Sequence, residues 1–319
     1  MKFFNNIISP EIRSLLLLCR PRYNDGEIAL LESNLKLING WPSFIELING
    51  HGIIALTWHK IKDAGLLETL PEQERERLHK GWLASLARNS AIFSLFDEVA
   101  AAALEHGMKI IPVKGLLLER TIYGNNGLRQ MNDLDILTSP DNAFKLREIL
   151  LQKGFESIPF ISPIHKYFMH SYGKHMPEMY KKGLSLEIHF RLFRDRNNAL
   201  TKEMIDLSWE KFPEGNSVTF SPPVAHNFLY LVKHLLWHEK TGNSQLRLYC
   251  DLILLIEKYG KNLLNENLFS LAQRLKMDSD LRMVLGLLQE FFGVETEAYG
   301  NLSETSANEF LKFLYSPKN

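Results

Sequence analysis

The segment Lys109 to Phe155 constrains this chain more than any other, because strand and helix signals alternate there around a pair of acids. Asp133-Leu134-Asp135-Ile136-Leu137 opens an apolar run with two carboxylates two residues apart. Successive strand side chains point to opposite faces, so both aspartates share one face. Carboxylates held that close repel each other, and their joint presence favours a cation between them. Upstream, Gly107 stops a long helix that feeds a strand over Lys109 to Val113, and a second helix follows Gly115 and ends near Tyr123-Gly124. Downstream, Ser139-Pro140 supplies an N-cap and a first-turn proline for a helix that ends at Gly154, with Leu146, Ile149 and Leu150 facing inward. The fold class this predicts is α+β, a small mixed α/β sheet core.

A third acid comes from Leu184-Ser185-Leu186-Glu187-Ile188-His189-Phe190, which alternates cleanly. Leu184, Leu186, Ile188 and Phe190 take one face, and Ser185, Glu187 and His189 the other. Three carboxylates from two neighbouring strands are what two-metal nucleotidyl transfer requires, one ion activating the attacking oxygen and the other bridging the triphosphate. Magnesium carrying nucleotide phosphates is the cation such oxygen ligands suit. His189 shares the face of Glu187, as a group supporting the metal ligands or as a base toward the acceptor. Arg129, four residues before Asp133, is read as bracing the carboxylates or reaching the triphosphate.

The order Ile111-Pro112-Val113-Lys114-Gly115, Tyr123, Arg129, Asp133 to Leu137, then Leu186-Glu187-Ile188-His189-Phe190-Arg191-Leu192 resembles a bacterial family of uncharacterised nucleotidyltransferases within the polymerase-beta-like superfamily. His51-Gly52 and Arg247-Leu248-Tyr249-Cys250-Asp251-Leu252 resemble that family's flanking helical regions. The resemblance implies that Asp133 and Asp135 are paired metal ligands and Glu187 the third acid, holding two magnesium ions when a nucleoside triphosphate, the donor, is bound. It also sets Lys114-Gly115 where the wider superfamily has Gly-Ser at a helix start. Gly115 permits close approach of a phosphate, Leu116 offers no hydroxyl and Lys114 supplies a point charge. A nucleotide-binding or protein-interaction module without catalysis is the alternative, although a retired site has no reason to keep three mutually repelling carboxylates.

Residues 1–105 read as an N-terminal helical region, 106–221 as the nucleotidyltransferase-like core and 222–319 as a C-terminal helical bundle. In the first, Leu15, Leu18, Ile28, Leu31 and Leu35 recur at helical spacing, and Leu86, Phe93, Phe96, Val99 and Leu104 share a face of one long helix, with breaks at Gly40-Trp41-Pro42 and Leu70-Pro71-Glu72. In the last, Val224 to Lys240, Gln245 to Tyr259, Leu263 to Leu275 and Asp280 to Phe292 carry helical periods. Met1-Lys2-Phe3-Phe4 starts like a signal peptide, but Asn5, Asn6, Pro10, Glu11 and Arg13 interrupt any apolar core, and no segment reaches the roughly 18 apolar residues of a membrane span.

Lysine plus arginine equals aspartate plus glutamate at 37 each, so no overall positive field draws the chain to long nucleic acid. A small-molecule or protein acceptor is expected, and no membrane. Cys19 and Cys250 offer none of the paired spacings of a zinc site and read as reduced thiols, which points to the cytoplasm. His234 and His238 sit one helical turn apart without the glutamate of a metalloprotease motif; with His226 and Tyr230 they read as a polar cleft wall or a hydrogen-bonded helix interface. His165, His170, Lys174 and His175 fall in a segment that Pro163, Gly173 and Pro177 mark as irregular, where Lys174 or His175 could meet phosphate. Gly124-Asn125-Asn126-Gly127 is a turn or a substrate-side loop.

Overall fold

Pattern and capping fix most of the elements. In the computed structural model, which describes residues 8–124, 126–194, 198–296 and 302–315, five helices come first: α1 (Pro10–Leu18), α2 (Asp25–Lys36), α3 (Trp41–Gly50), α4 (Ile54–Asp63) and α5 (Glu72–Glu105). Then follow β1 (Ile111–Pro112), α6 (Lys114–Thr121), β2 (Asp133–Leu137), α7 (Pro140–Gln152), β3 (Glu156–Ser157), α8 (Pro163–Tyr172), β4 (Met179–Lys181) and β5 (Leu184–His189). The remainder is α9 (Ala199–Asp206), β6 (Glu210–Lys211), β7 (Phe220–Ser221), α10 (Val224–Thr241), α11 (Leu246–Tyr259), α12 (Glu266–Arg274), α13 (Asp278–Phe292) and α14 (Glu304–Tyr315). Contacts divide the chain into two units: Met1–Ser85 with Gly127–Gln130 and Leu231–Asn319, and Leu86–Asn126 with Met131–Tyr230.

The second unit carries a mixed five-stranded sheet of order β1-β2-β5-β4-β3, in which β2 and β5 are parallel and the other pairs antiparallel. Its core lies on one face. Leu134 and Ile136 of β2 and Leu186 and Ile188 of β5 pack there with Ala143, Leu146 and Leu150 of α7 and with Ile92, Phe96 and Val99 of α5. Burying those branched side chains, each worth about 1.5–3 kcal/mol, drives the opposite face of β2 and β5 to present its polar residues. Ser139 caps α7 through its hydroxyl and Pro140 takes the first turn, as the sequence indicates.

Two expectations change. Leu104 is 44% exposed, and the inward positions at the end of α5 belong to Ala102 and Ala103, because the buried stripe through Ile92, Phe96, Val99 and Ala103 steps by three and four residues and passes Leu104 by. The segment read as irregular forms α8 and β4, since Pro163 starts a helix as readily as it breaks one and Gly173 follows its end. The apolar residues of that stretch are largely outside: Ile161, Ile164, Tyr167 and Tyr172 are all exposed.

The first unit is helical and accounts for both flanking motifs. Gly52 has φ +69°, and a Cβ there would stand 3.3 Å from Gln245 Oε1 and 3.4 Å from Arg247 Nε. The left-handed turn and the close approach together require glycine. Beside it, the buried His51 donates from Nε2 to the Leu314 carbonyl at 3.1 Å, and its own carbonyl accepts from Arg247 N. Burial pushes the His51 pKa down to about 4, the Leu314 hydrogen bond opposing this only in part. Between pH 6.5 and 4 the unfolded chain therefore binds a proton that the folded chain refuses, so stability is complete above pH 6.5 and falls as the pH drops toward 4. Substitution His51→Gln is expected to remove up to about 3 kcal/mol of that pH dependence, read as a flatter plot of denaturation midpoint against pH. The two cysteines are buried and unpaired with each other as a disulfide, and no helix among the described residues is long and apolar enough to cross a membrane.

Candidate active site

Register builds the site. In the parallel pair β2–β5, Asp133 stands opposite Ser185, Asp135 opposite Glu187 and Leu137 opposite His189. Parallel partners point to the same side, so Asp133, Asp135, Glu187 and His189 all leave the sheet away from the α7 core. One ligand atom from each of Asp135, Glu187 and His189 lies within 4.8 Å of the other two. Asp133, half-buried one step earlier on the strand, stands outside that group, and the third member is an imidazole where the sequence reading has a carboxylate. Two adjacent carboxylates separate unless something positive joins them, and Asp135 has two such partners.

Those partners are Lys114 and His189. Lys114 Nζ lies 2.7 Å from Asp135 Oδ1, and His189 Nε2 lies 2.7 Å from the same oxygen and 3.1 Å from Glu187 Oε2. Two carboxylate oxygens accept from Nε2, which therefore carries the proton; the buried Nδ1 finds no hydrogen-bond partner among the described residues. His189 is thus a donor that fastens the two acids together, and a base role through Nε2 does not fit it. Burial would raise the Asp135 carboxyl, but Lys114, and then His189, override it and hold the group far below the carboxylate range. For Glu187 burial again opposes, and the His189 hydrogen bond prevails, keeping this acid ionised as well. Burial would likewise depress the Lys114 ammonium, yet Asp135, with Tyr230 and Asp133 adding, holds it above its ordinary range.

Lys114 opens α6 with φ +51°, a left-handed conformation that costs a non-glycine residue about 1 kcal/mol or more. Neighbouring Gly115 is buried within α6, whose N-terminus has no side-chain cap among the described residues. Tyr230, buried on α10, hydrogen-bonds the Lys114 ammonium through its hydroxyl. The sequence places Tyr230 on a polar helix face without giving it this role, and its spacing from His226 was the available signal. His226 itself bonds Glu203 at 2.9 Å.

Lys174 and His175 belong near the site. His175 bridges His189 at the end of β5, donates from Nδ1 to the Met176 carbonyl and has Nε2 at 3.9 Å from Glu187 Oε1. Burial lowers its pKa despite that hydrogen bond and the nearby Glu187. Lys174 is depressed by burial and then by Lys114, with Glu187 and Asp135 pulling the other way. The side chain of His165 and the residue Asn125 lie outside the described residues.

Arg129 meets an acid of α11. Its Nε and Nη2 donate to the two carboxylate oxygens of Asp251 at 2.9 and 2.8 Å, in a pair only 6% and 1% exposed. A bidentate partner that well matched claims the fork of the guanidinium ahead of the strand aspartates. Arg247, four residues before Asp251 on the same helix, donates to the Gln130 carbonyl and to Gln245 Oε1. His234 and His238 meet Nε2 to Nε2 at 3.2 Å, one donating to the other.

The profile of a family described as uncharacterised nucleotidyltransferase matches residues 39–293. Among solved structures, the crystal structure of ANT(2″)-Ia in complex with adenylyl-2″-tobramycin is similar at 11% identity and a TM-score of 0.40, covering 59% of this chain and 97% of that one. No curated protein sequence matches.

Proposed function

The chain belongs to this family of uncharacterised nucleotidyltransferases, and on that footing we propose that it transfers a nucleoside monophosphate from a nucleoside triphosphate to a small-molecule or protein acceptor with the help of magnesium. One observation carries the proposal: adjacent parallel strands bring the ligand atoms of Asp135, Glu187 and His189 within 4.8 Å of one another, on the face they share with Asp133. Asp135 and Glu187 suit magnesium, being hard carboxylate oxygens already held ionised, with the His189 imidazole as their hydrogen-bond donor. Asp133, Asp135 and Glu187 are assigned to hold it. Magnesium, when bound, neutralises triphosphate charge and favours attack of an acceptor oxygen on the α-phosphorus as pyrophosphate leaves.

The chain's own residues do the positioning. His189 keeps Asp135 and Glu187 oriented as a pair. Lys114 and the uncapped start of α6 at Gly115 supply positive charge and close backbone approach for phosphate oxygens. Arg129 is assigned to hold Asp251.

Replacing Glu187 by Gln keeps its size and removes its charge. Magnesium-dependent nucleotide affinity is expected to fall about tenfold or more, an amount that isothermal titration resolves. Unchanged affinity would take Glu187 out of the site.

A further inference from the structure

One carboxylate oxygen of Asp135, an acid assigned to hold the divalent cation, is already engaged by an ammonium. Lys114 Nζ stands 2.7 Å from Asp135 Oδ1, with side chains 13% and 3% exposed. The contact is built into the fold: Lys114 takes a left-handed backbone conformation that the adjacent glycine would adopt without cost, and Tyr230 accepts a second hydrogen bond from the same ammonium. A divalent ion and an ammonium sharing one buried carboxylate repel strongly, because little solvent screens them. Lysine is also the cation able to leave, its charge riding on a flexible four-carbon stem. An incoming triphosphate offers it several anionic oxygens in exchange.

We infer that Lys114 is a resident cation of the metal site that moves to the phosphates when a nucleotide arrives, so the protein takes up its metal together with the nucleotide and not before it. The inference rests on the nucleotidyltransferase reading above. It assigns Lys114 two opposite effects, against bare metal and for the metal–nucleotide complex. A lysine that only neutralised Asp135, or only bound phosphate, would produce one effect or the other.

Manganese supplies the probe, since free Mn2+ gives an electron paramagnetic resonance signal that fades on binding. The full-length chain is titrated with Mn2+ alone and with Mn2+ plus a non-hydrolysable analogue of each nucleoside triphosphate in turn. Wild type is expected to bind Mn2+ alone at least tenfold more weakly than in the presence of the preferred analogue. In Lys114→Met, Mn2+ alone should bind about tenfold tighter or better, while affinity for Mn2+ with the analogue falls at least tenfold. Lys114→Gln, which keeps a polar tip against Asp135 and Tyr230, should shift both affinities in the same directions. Wild type that binds Mn2+ equally well with and without nucleotide overturns the inference without any variant, and so does bare-metal affinity that rises in neither substitution. Nucleotide-dependent Mn2+ binding that is lost in Asp133→Asn would leave the transferase reading standing even then; no Mn2+ binding with any analogue would end both.

Discussion

Asp133→Asn and Asp135→Asn are each expected to lower nucleotidyl transfer by about a hundredfold to a thousandfold or more. Charge placed where charge develops is commonly the largest single contribution to such catalysis, and each substitution removes a negative ligand while keeping side-chain size. The two variants should differ in stability. Asp133 is half-buried at the start of β2, so its substitution should leave the melting temperature near that of wild type. Asp135 is 3% exposed and partners a buried ammonium, so Asp135→Asn strands Lys114 and should melt earlier. Loss of transfer in a fully stable Asp133→Asn is therefore the cleaner result; transfer assays with radiolabelled nucleotide measure it. Activity retained in both variants would remove the aspartates from the chemistry.

The second large effect concerns folding. Asp251→Ala or Arg129→Met breaks a bidentate ion pair that is 1% and 6% exposed, leaving one buried charge without its partner, at a cost of about 3–5 kcal/mol. Removing both charges together, as in Arg129→Met with Asp251→Ala, should cost less than either single change, because no lone charge is left buried. Denaturant unfolding of the four proteins gives the cycle. Single variants as stable as wild type would show that the pair contributes little, and Arg129 would become available again for a role nearer the nucleotide.

What was legible in the sequence follows from periodicity. The alternation of Leu184 to Phe190 fixed which face Glu187 and His189 take, and the spacing of Asp133 and Asp135 did the same for β2; the parallel register then brought the two sets together. Ser139-Pro140 announced α7 because capping is local chemistry. Pairings across long separations were not legible. Arg129 meets Asp251 122 residues away, and nothing local distinguishes an arginine bound for a carboxylate on a distant helix from one bound for phosphate. Lys114 reaches Asp135 because β1 and β2 are antiparallel neighbours, with Val113 N donating to the Asp135 carbonyl at 3.1 Å. That contact changes the expected energetics of the acids: mutual repulsion of Asp133 and Asp135 is offset at Asp135 by an ammonium and an imidazole N–H. Proline misled at residue 163 because the same residue suits a loop and a first helical turn.

Thermal melting of wild type and Asp133→Asn, with and without magnesium and each nucleoside triphosphate, tests the metal-held nucleotide most directly. Ligand at about a hundred times its dissociation constant stabilises a protein by roughly 2.7 kcal/mol, so at least one nucleotide with magnesium should raise the wild-type melting temperature visibly. Neither magnesium nor nucleotide alone should match it, and the shift should vanish in Asp133→Asn. A shift of equal size in wild type and variant, or none with any nucleotide, would contradict the transferase reading and favour an interaction module built on the same fold.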